Sequence, residues 1–204
     1  MPIILGLTGR CQAGKTTCAD YLQQRYGFRQ ESFANPARRS VAQILNITWE
    51  RLAAQEDNWL AEFNATPRQM ITRLHHDWGH QQIHPALWVQ ALLRRTDNLR
   101  QDYVITEVVY PQERALIRQR GVLVHIRRPL WGSWRADPEL NPQDKVLDNH
   151  RSVGHLQQQL DLLVLTVGLE AHIARLRATA ETTPVYQTAI QELTALLARV
   201  QTPP

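Results

Sequence analysis

Residues 3 to 16 read IILGLTGRCQAGKT, an apolar run that stops at Thr8 and then a glycine-bounded loop ending on a lysine and a threonine. Ile3 to Leu7 has the length and composition of a short buried strand, and Ala19, Leu22 and Tyr26 recur on one face of a helix after the loop. Gly9 to Thr16 fits G-x-x-x-x-G-K-[ST] at every fixed position. Strand, glycine loop and helix in that order predict the first unit of an α/β sandwich.

The spacing has a chemical reason. Glycines let the backbone curl so that successive N–H groups point inward at phosphate oxygens, and the helix adds its positive N-terminal end. Gly9, Arg10, Cys11, Gln12, Ala13, Gly14, Lys15, Thr16 and Thr17 are therefore the candidate ATP-binding set. Within it, Lys15 reaches the β- and γ-phosphates and the Thr16 hydroxyl ligates Mg²⁺. Cys11, at a free position beside the phosphates, reads either as a small filler or as a thiol activated by the helix end.

Working outward, 204 residues with 43% apolar and 21% charged composition suit one folded domain over residues 1–204. No apolar run approaches the roughly 18 to 20 residues of a membrane span, and the opening residues lack a signal-peptide pattern. Cys11 and Cys18 form no metal-binding or disulfide pattern, which points to a reducing cytoplasm. Of the 23 basic residues, 21 are arginine, the side chain suited to bidentate phosphate or carboxylate recognition. They are scattered, with no run longer than two, so a small nucleotide is the expected partner and neither a membrane nor a nucleic acid is indicated.

Further along, Phe28 to Phe33 reads as a strand, Asn35 and Pro36 open a helix, and Trp49 to Phe63 continues as helix. Thr66, Pro67 and Gln69 form a capping-box start for a helix expected to end at Gly79, with Arg68, Thr72, His75 and His76 on its polar side. Pro85 begins another helix. Tyr103 to Val108 is a buried strand with Glu107 at its C-terminal end, and Pro111 to Arg120 with Val122 to Ile126 completes a strand, helix, strand unit that signals a parallel sheet. Residues 127–149 lack periodicity and read as a lid, residues 46–100 as a helical substrate-binding region, and Leu160 to Val167 as a last strand. The final amphipathic helix, Pro184 to Val200, would pack on its own core or on a second copy in a homodimer. His76, His80 and His84 repeat at four-residue spacing, a pattern that would hold a metal on an unbroken helix, but Gly79 and Pro85 argue against one.

From about Leu5 to about Arg128 the chain resembles the bacteriophage-type deoxynucleoside monophosphate kinases. The similarity rests on the phosphate loop, then FANPAR at Phe33 to Arg38, TPRQMITRLHHDWGH at Thr66 to His80, IHPALWV at Ile83 to Val89 and VITEVVYPQE at Val104 to Glu113. It departs from the family at His75 and His76, where the family has glycine and threonine, and at Val109, where it has arginine. The resemblance implies a P-loop α/β/α sandwich with a mostly parallel sheet and helical nucleotide-binding and lid segments. It implies transfer of the γ-phosphate of ATP to a deoxynucleoside monophosphate, with the substrate phosphate between Arg38 and Arg68. The base would lie near Asp77, Trp78, Trp88 and Glu107, while Arg127, Arg128 or Arg135 closes over the phosphates. The opening ILGLTGRCQAGKTT is also similar to dephospho-coenzyme A kinases, and a catalytically impaired nucleotide-binding protein is the remaining alternative.

Overall fold

The computed structural model describes residues 2–96, 101–128, 140–179 and 184–201. Five strands form one sheet: β1 (Ile4–Thr8), β2 (Arg29–Ser32), β3 (Tyr103–Thr106), β4 (Val122–Arg127) and β5 (Lys145–Asp148), in the order β2-β3-β1-β4-β5. Every neighbouring pair is parallel. The helix between β3 and β4 crosses over β1, so the two strands flank β1 instead of pairing with each other.

Strand side chains alternate between faces, and both faces here are apolar, as in a sheet covered on two sides. Leu5, Leu7, Val104, Val124 and Ile126 join a core with Ala19 and Leu22 of α1 (Lys15–Tyr26) and Leu156, Leu160, Leu163 and Val167 of α7 (Val153–Thr179). Tyr103, Ile105 and Leu123 meet the opposite core. That core is built by Val41 of α2 (Asn35–Ile44), Leu52 of α3 (Trp49–Gln55), Ile71 of α4 (Pro67–Thr72), Trp88 and Leu92 of α5 (Leu87–Thr96), and Ile117 of α6 (Pro111–Arg120). The result is three layers, α/β/α. Each fully buried leucine on these faces contributes roughly 1.5–3 kcal/mol.

Four sequence expectations are corrected. Leu160 to Val167 is not a strand but part of α7, a 27-residue helix whose Leu156, Leu160, Leu163 and Val167 recur at helical spacing. The last strand is instead β5, four residues inside the stretch read as a lid. Arg127, Arg128 and residues 140–149 of that stretch are described; Arg135 lies outside the described residues. Helix does not run from Trp49 to Phe63: α3 stops at Gln55, and a short 3₁₀ turn follows at Ala61–Phe63. Helix does not stop at Gly79 either, because α4 passes directly into a π-helical segment, Arg73–Ile83. The capping box at Thr66 and Gln69 is formed as expected.

The last helix, α8 (Pro184–Gln201), packs along α7 of the same chain, and the Gln201 side chain reaches Glu170 at 3.1 Å. Among the described residues no helix is long and apolar enough to cross a membrane.

The turn into β5 carries a buried ion cluster. Asp144 accepts hydrogen bonds from Arg118 Nε at 2.9 Å, Arg118 Nη2 at 2.7 Å and the Asn141 amide at 3.0 Å, and the His125 ring nitrogen lies 3.0 Å away. Burial by itself pushes the Asp144 carboxyl up, but these partners outweigh it and hold it at about 2. A depressed carboxyl stabilises the fold above its unfolded value of roughly 3.9, and that contribution is lost as pH falls toward the folded value. Asp144→Asn should therefore cost about 2 kcal/mol at neutral pH and flatten the acid limb of a stability profile below roughly pH 4. Urea denaturation as a function of pH measures both effects.

Candidate functional site

In parallel α/β sheets, ligands sit at the C-terminal ends of the strands. Here that edge gathers the loop after β1, Ser32 at the end of β2, Glu107 one residue past β3, Arg128 one residue past β4 and Asn149 one residue past β5. Between these ends and α3 opens a cleft of about 720 Å³, lined among others by Lys15, Thr16, Arg38, Arg68 and Glu107.

Gly14 supplies the left-handed start of α1 at φ 105, which a side chain rarely adopts. A methyl group there would also collide with the Asn149 side chain, whose amide donates to the Ala13 carbonyl at 2.9 Å. Asn149 thus ties the end of β5 to the phosphate loop, a contact with no signature in the sequence. The Lys15 ammonium folds back on the loop, donating to the Gly9 and Arg10 carbonyls at 2.9 and 2.8 Å. Burial lowers its pKa, against the opposing pull of Cys11 and Glu107. Arg128 reaches over the loop toward the Gln12 carbonyl at 3.5 Å.

The far wall of the cleft comes from α3. Trp49, Leu52, Ala53 and Glu56 line it, spaced so that they share one helical face. Glu56 joins two arginines: its Oε1 accepts from Arg38 Nε at 3.0 Å and its Oε2 lies 3.3 Å from Arg68 Nη1. The other edge of Arg38 grips Glu107 through two hydrogen bonds, 2.7 and 3.1 Å. Arg68 grips the exposed Asp57 at 2.6 and 3.0 Å.

Glu107 holds a left-handed backbone at φ 59, an uncommon conformation for a side chain of this size. That turn aims its carboxylate back across the strand ends, where the Ser32 hydroxyl also donates to it at 3.3 Å. Burial pushes the Glu107 carboxyl up, but the Arg38 guanidinium, Ser32 and the Lys15 charge together hold it below the usual range. Glu31, also on the cleft wall, accepts from Asn35 at 3.0 Å and pairs with Arg95 at 3.5 Å.

Of the residues singled out from sequence, the structure brings Cys11, Gln12, Gly14, Lys15, Thr16, Thr17, Arg38, Arg68, Glu107 and Arg128 to this cleft. Gly9, Arg10 and Ala13 form the rest of the loop. Arg127, the last residue of β4, does not line the cleft. Nor do Asp77, Trp78 and Trp88. Trp88 is buried, stacks on His75 and donates its indole N–H to the His75 carbonyl at 2.7 Å, so it is a core residue. Trp78 is exposed on the π-helical segment beside Trp88. Sequence reasoning missed Trp49, Glu31, Glu56 and Asn149; only Trp49 and Glu56 carried a signal, their shared helical face.

The four-residue repeat of His76, His80 and His84 is also corrected. His84 turns to the Ala86 amide at 3.0 Å, while His76 meets Tyr110 and Gln81. In the π-helical segment it is His75 and His80 that converge, with Glu113.

A three-layer α/β/α sandwich of P-loop type, with its phosphate loop at the head of the sheet, is the class that fold and site define. No family model matches the chain. The resemblance to deoxynucleoside monophosphate kinases is borne out by a curated relative from Acanthamoeba polyphaga mimivirus, described as a "putative deoxynucleotide monophosphate kinase". It is 28% identical over 186 residues, which cover 78% of this chain and 94% of the relative. Among solved structures the chain is similar to a sugar kinase from Janibacter sp., at 15% identity and a TM-score of 0.45, covering 82% of this chain and 96% of that one. It is similar as well to a gluconokinase from Sinorhizobium meliloti, at 12% identity and a TM-score of 0.43, covering 84% and 98%.

Gly14→Ala tests the loop. The strained φ costs on the order of 1–3 kcal/mol, and relieving the clash displaces Asn149. ATP affinity by titration calorimetry should fall at least about tenfold, one step of roughly 1.4 kcal/mol, while the far-ultraviolet circular dichroism spectrum stays native.

Proposed function

We propose that the chain is an ATP-dependent kinase that transfers the γ-phosphate to a deoxynucleoside 5′-monophosphate, giving the diphosphate and ADP. The observation that carries this reading is the arginine pair across the cleft from the phosphate loop, Arg38 and Arg68, held side by side by Glu56. Two guanidinium groups at one wall suit the oxygens of a phosphate monoester. Their carboxylate partners fix them before substrate arrives, which lowers the ordering cost of binding.

The carboxylates favour the same acceptor. A hydroxyl acceptor, as in a dephospho-coenzyme A kinase, calls for a base to take its proton. Glu31, Glu56 and Glu107 are each paired with arginine, and Glu107 sits below its usual range, which makes it a weak base. A monophosphate needs no base, since its second proton leaves near pH 6. Its oxygen attacks the γ-phosphorus directly; the new O–P bond forms as the bond to the β–γ bridging oxygen breaks, and the electron pair leaves with ADP.

Lys15 and the loop amides would hold the β- and γ-phosphates. The hard oxygen donors at hand, the Thr16 hydroxyl and the Glu107 carboxylate, fit Mg²⁺, which keeps several waters of its own. Bound there, Mg²⁺ would neutralise charge on the phosphates. Arg128, already over the loop, would close on the phosphates and help exclude water. Trp49, exposed on the acceptor wall one turn from Ala53, is the aromatic placed to stack on the base, the part expected of Trp78 and Trp88. The description of the mimivirus relative points to the same reaction.

ADP release from Mg·ATP, assayed with each deoxynucleoside monophosphate, each ribonucleotide and dephospho-coenzyme A, tests the reading. Turnover should depend on a deoxynucleoside monophosphate and vanish in Lys15→Ala. Arg68→Ala should raise KM for the acceptor by about tenfold or more, roughly 1.4 kcal/mol, and leave KM for ATP within about twofold. Trp49→Ala should weaken the acceptor similarly. Turnover with dephospho-coenzyme A alone, or ATP binding without turnover on any acceptor, would overturn the proposal.

A further inference from the structure

Behind the strand end that carries Glu107 lies a second cluster, which phosphoryl transfer does not use. Glu113, in the first turn of α6, is fully buried. Its Oε2 is fixed by the backbone amides of Val109 at 2.8 Å and Tyr110 at 3.0 Å. Its Oε1 has no hydrogen-bond partner and faces His75 Nε2 at 3.7 Å and His80 Nε2 at 3.9 Å. Those two ring nitrogens are buried and unpartnered as well. Three lone-pair atoms, two imidazole nitrogens and a carboxylate oxygen, thus lie within 4.8 Å of one another without a hydrogen-bond partner among the described residues.

An unsatisfied buried polar atom is costly, so three converging on one point call for a common partner. We propose that His75, His80 and Glu113 form a binding site for one divalent transition-metal ion of the zinc class. Two imidazoles and one carboxylate are a donor set of zinc and related cations, whereas Mg²⁺ and Ca²⁺ take oxygens. Tetrahedral bonds of about 2.0–2.1 Å place ligand atoms roughly 3.3–3.4 Å apart, so closure asks the 3.7 and 3.9 Å gaps to shrink by up to about half an ångström and the two imidazole nitrogens, within 4.8 Å of each other, to draw together by up to about 1.4 Å through side-chain rotation.

The helix geometry is what makes the pair. In an α-helix residues five apart point in different directions, but the π-helical segment Arg73–Ile83 brings His75 and His80 to one side. Gly79 lets that segment lie against Trp88, since a methyl there would collide with the indole. The outer groups hold the ligands ready, as around metal-binding imidazoles generally. His80 hydrogen-bonds the Pro85 carbonyl. Because Nε2 is unpartnered, the donor is Nδ1, which leaves the Nε2 lone pair facing inward. His75 lies flat against Trp88, and Tyr110 covers His80 with ring centres 3.9 Å apart.

Such an ion would pin the π-helical segment to the turn Val108–Tyr110 and so brace the backbone that carries Glu107.

The test uses the full chain stripped with a chelator and titrated with Zn²⁺, and with Co²⁺ as a spectroscopic probe. One equivalent should bind, with a tetrahedral or five-coordinate cobalt spectrum and a thermal midpoint raised by roughly 5–10 °C at hundredfold excess over Kd. Glu113→Gln keeps an oxygen for the two backbone amides and removes the charged ligand; it and His75→Ala should each abolish the equivalent and the spectrum. His150→Ala, at an exposed histidine whose ring meets that of His155, should keep both. Failure of the native chain to bind one equivalent would overturn the proposal without touching the kinase reading, which is read by turnover. Binding that survives Glu113→Gln and His75→Ala, or is lost in His150→Ala, would overturn it too. The native cobalt spectrum decides the matter even if a variant fails to fold.

Discussion

The parallel pairing of β1 between β3 and β4 is the constraint on which the rest depends. Gly6 stands level with Ile105 and Leu123, and Thr8 with His125, so three strands deliver their ends to one edge. A phosphate loop, a carboxylate and an arginine arrive there on rigid elements, and the two covered faces of the sheet supply the burial that keeps them in place. Shifting one strand by a residue would send its apolar side chains to the wrong layer, so the register of the core also fixes the site.

At that edge the electrostatics are organised by arginine. Among the described residues every carboxylate on the cleft wall has a guanidinium partner, and Arg38 and Arg68 are held by carboxylates in turn. The pairing holds the Glu107 carboxyl below its usual range and the cations in position, an arrangement suited to holding phosphates in line rather than to moving protons. The proposed acceptor, which arrives already negative, suits that arrangement.

Much of the fold was legible in the sequence because the signals were local and strong. The apolar run before Gly9, the Thr66 capping box and the Pro111–Gly121 helix each rest on a few neighbouring residues. The failures have physical causes. LDLLVLTV is apolar at both helical and strand spacing, and its length in context, inside a 27-residue helix, settles the matter only in three dimensions. β5 is four residues with charged ends, too short to stand out. The histidine cluster was not legible because the sequence displays a four-residue repeat, His76, His80 and His84, whereas the side chains that converge, His75 and His80, stand five apart in a π-helical segment. Half of the cleft was visible, through the phosphate loop and through the family resemblance of the segments that carry Arg38, Arg68 and Glu107. The wall formed by Trp49 and Glu56, and the brace from Asn149, depend on packing between distant segments and left little or no trace in the sequence.

The central claim is that the phosphate loop and the arginine pair hold donor and acceptor against each other in one cleft. A crystal structure with a non-hydrolysable ATP analogue and a deoxynucleoside monophosphate tests it most directly. The account predicts the γ-phosphate at Lys15 and the monophosphate on Arg38 and Arg68, with an acceptor oxygen in line with the γ-phosphorus at roughly 3–3.5 Å. A monophosphate bound away from both arginines would contradict it.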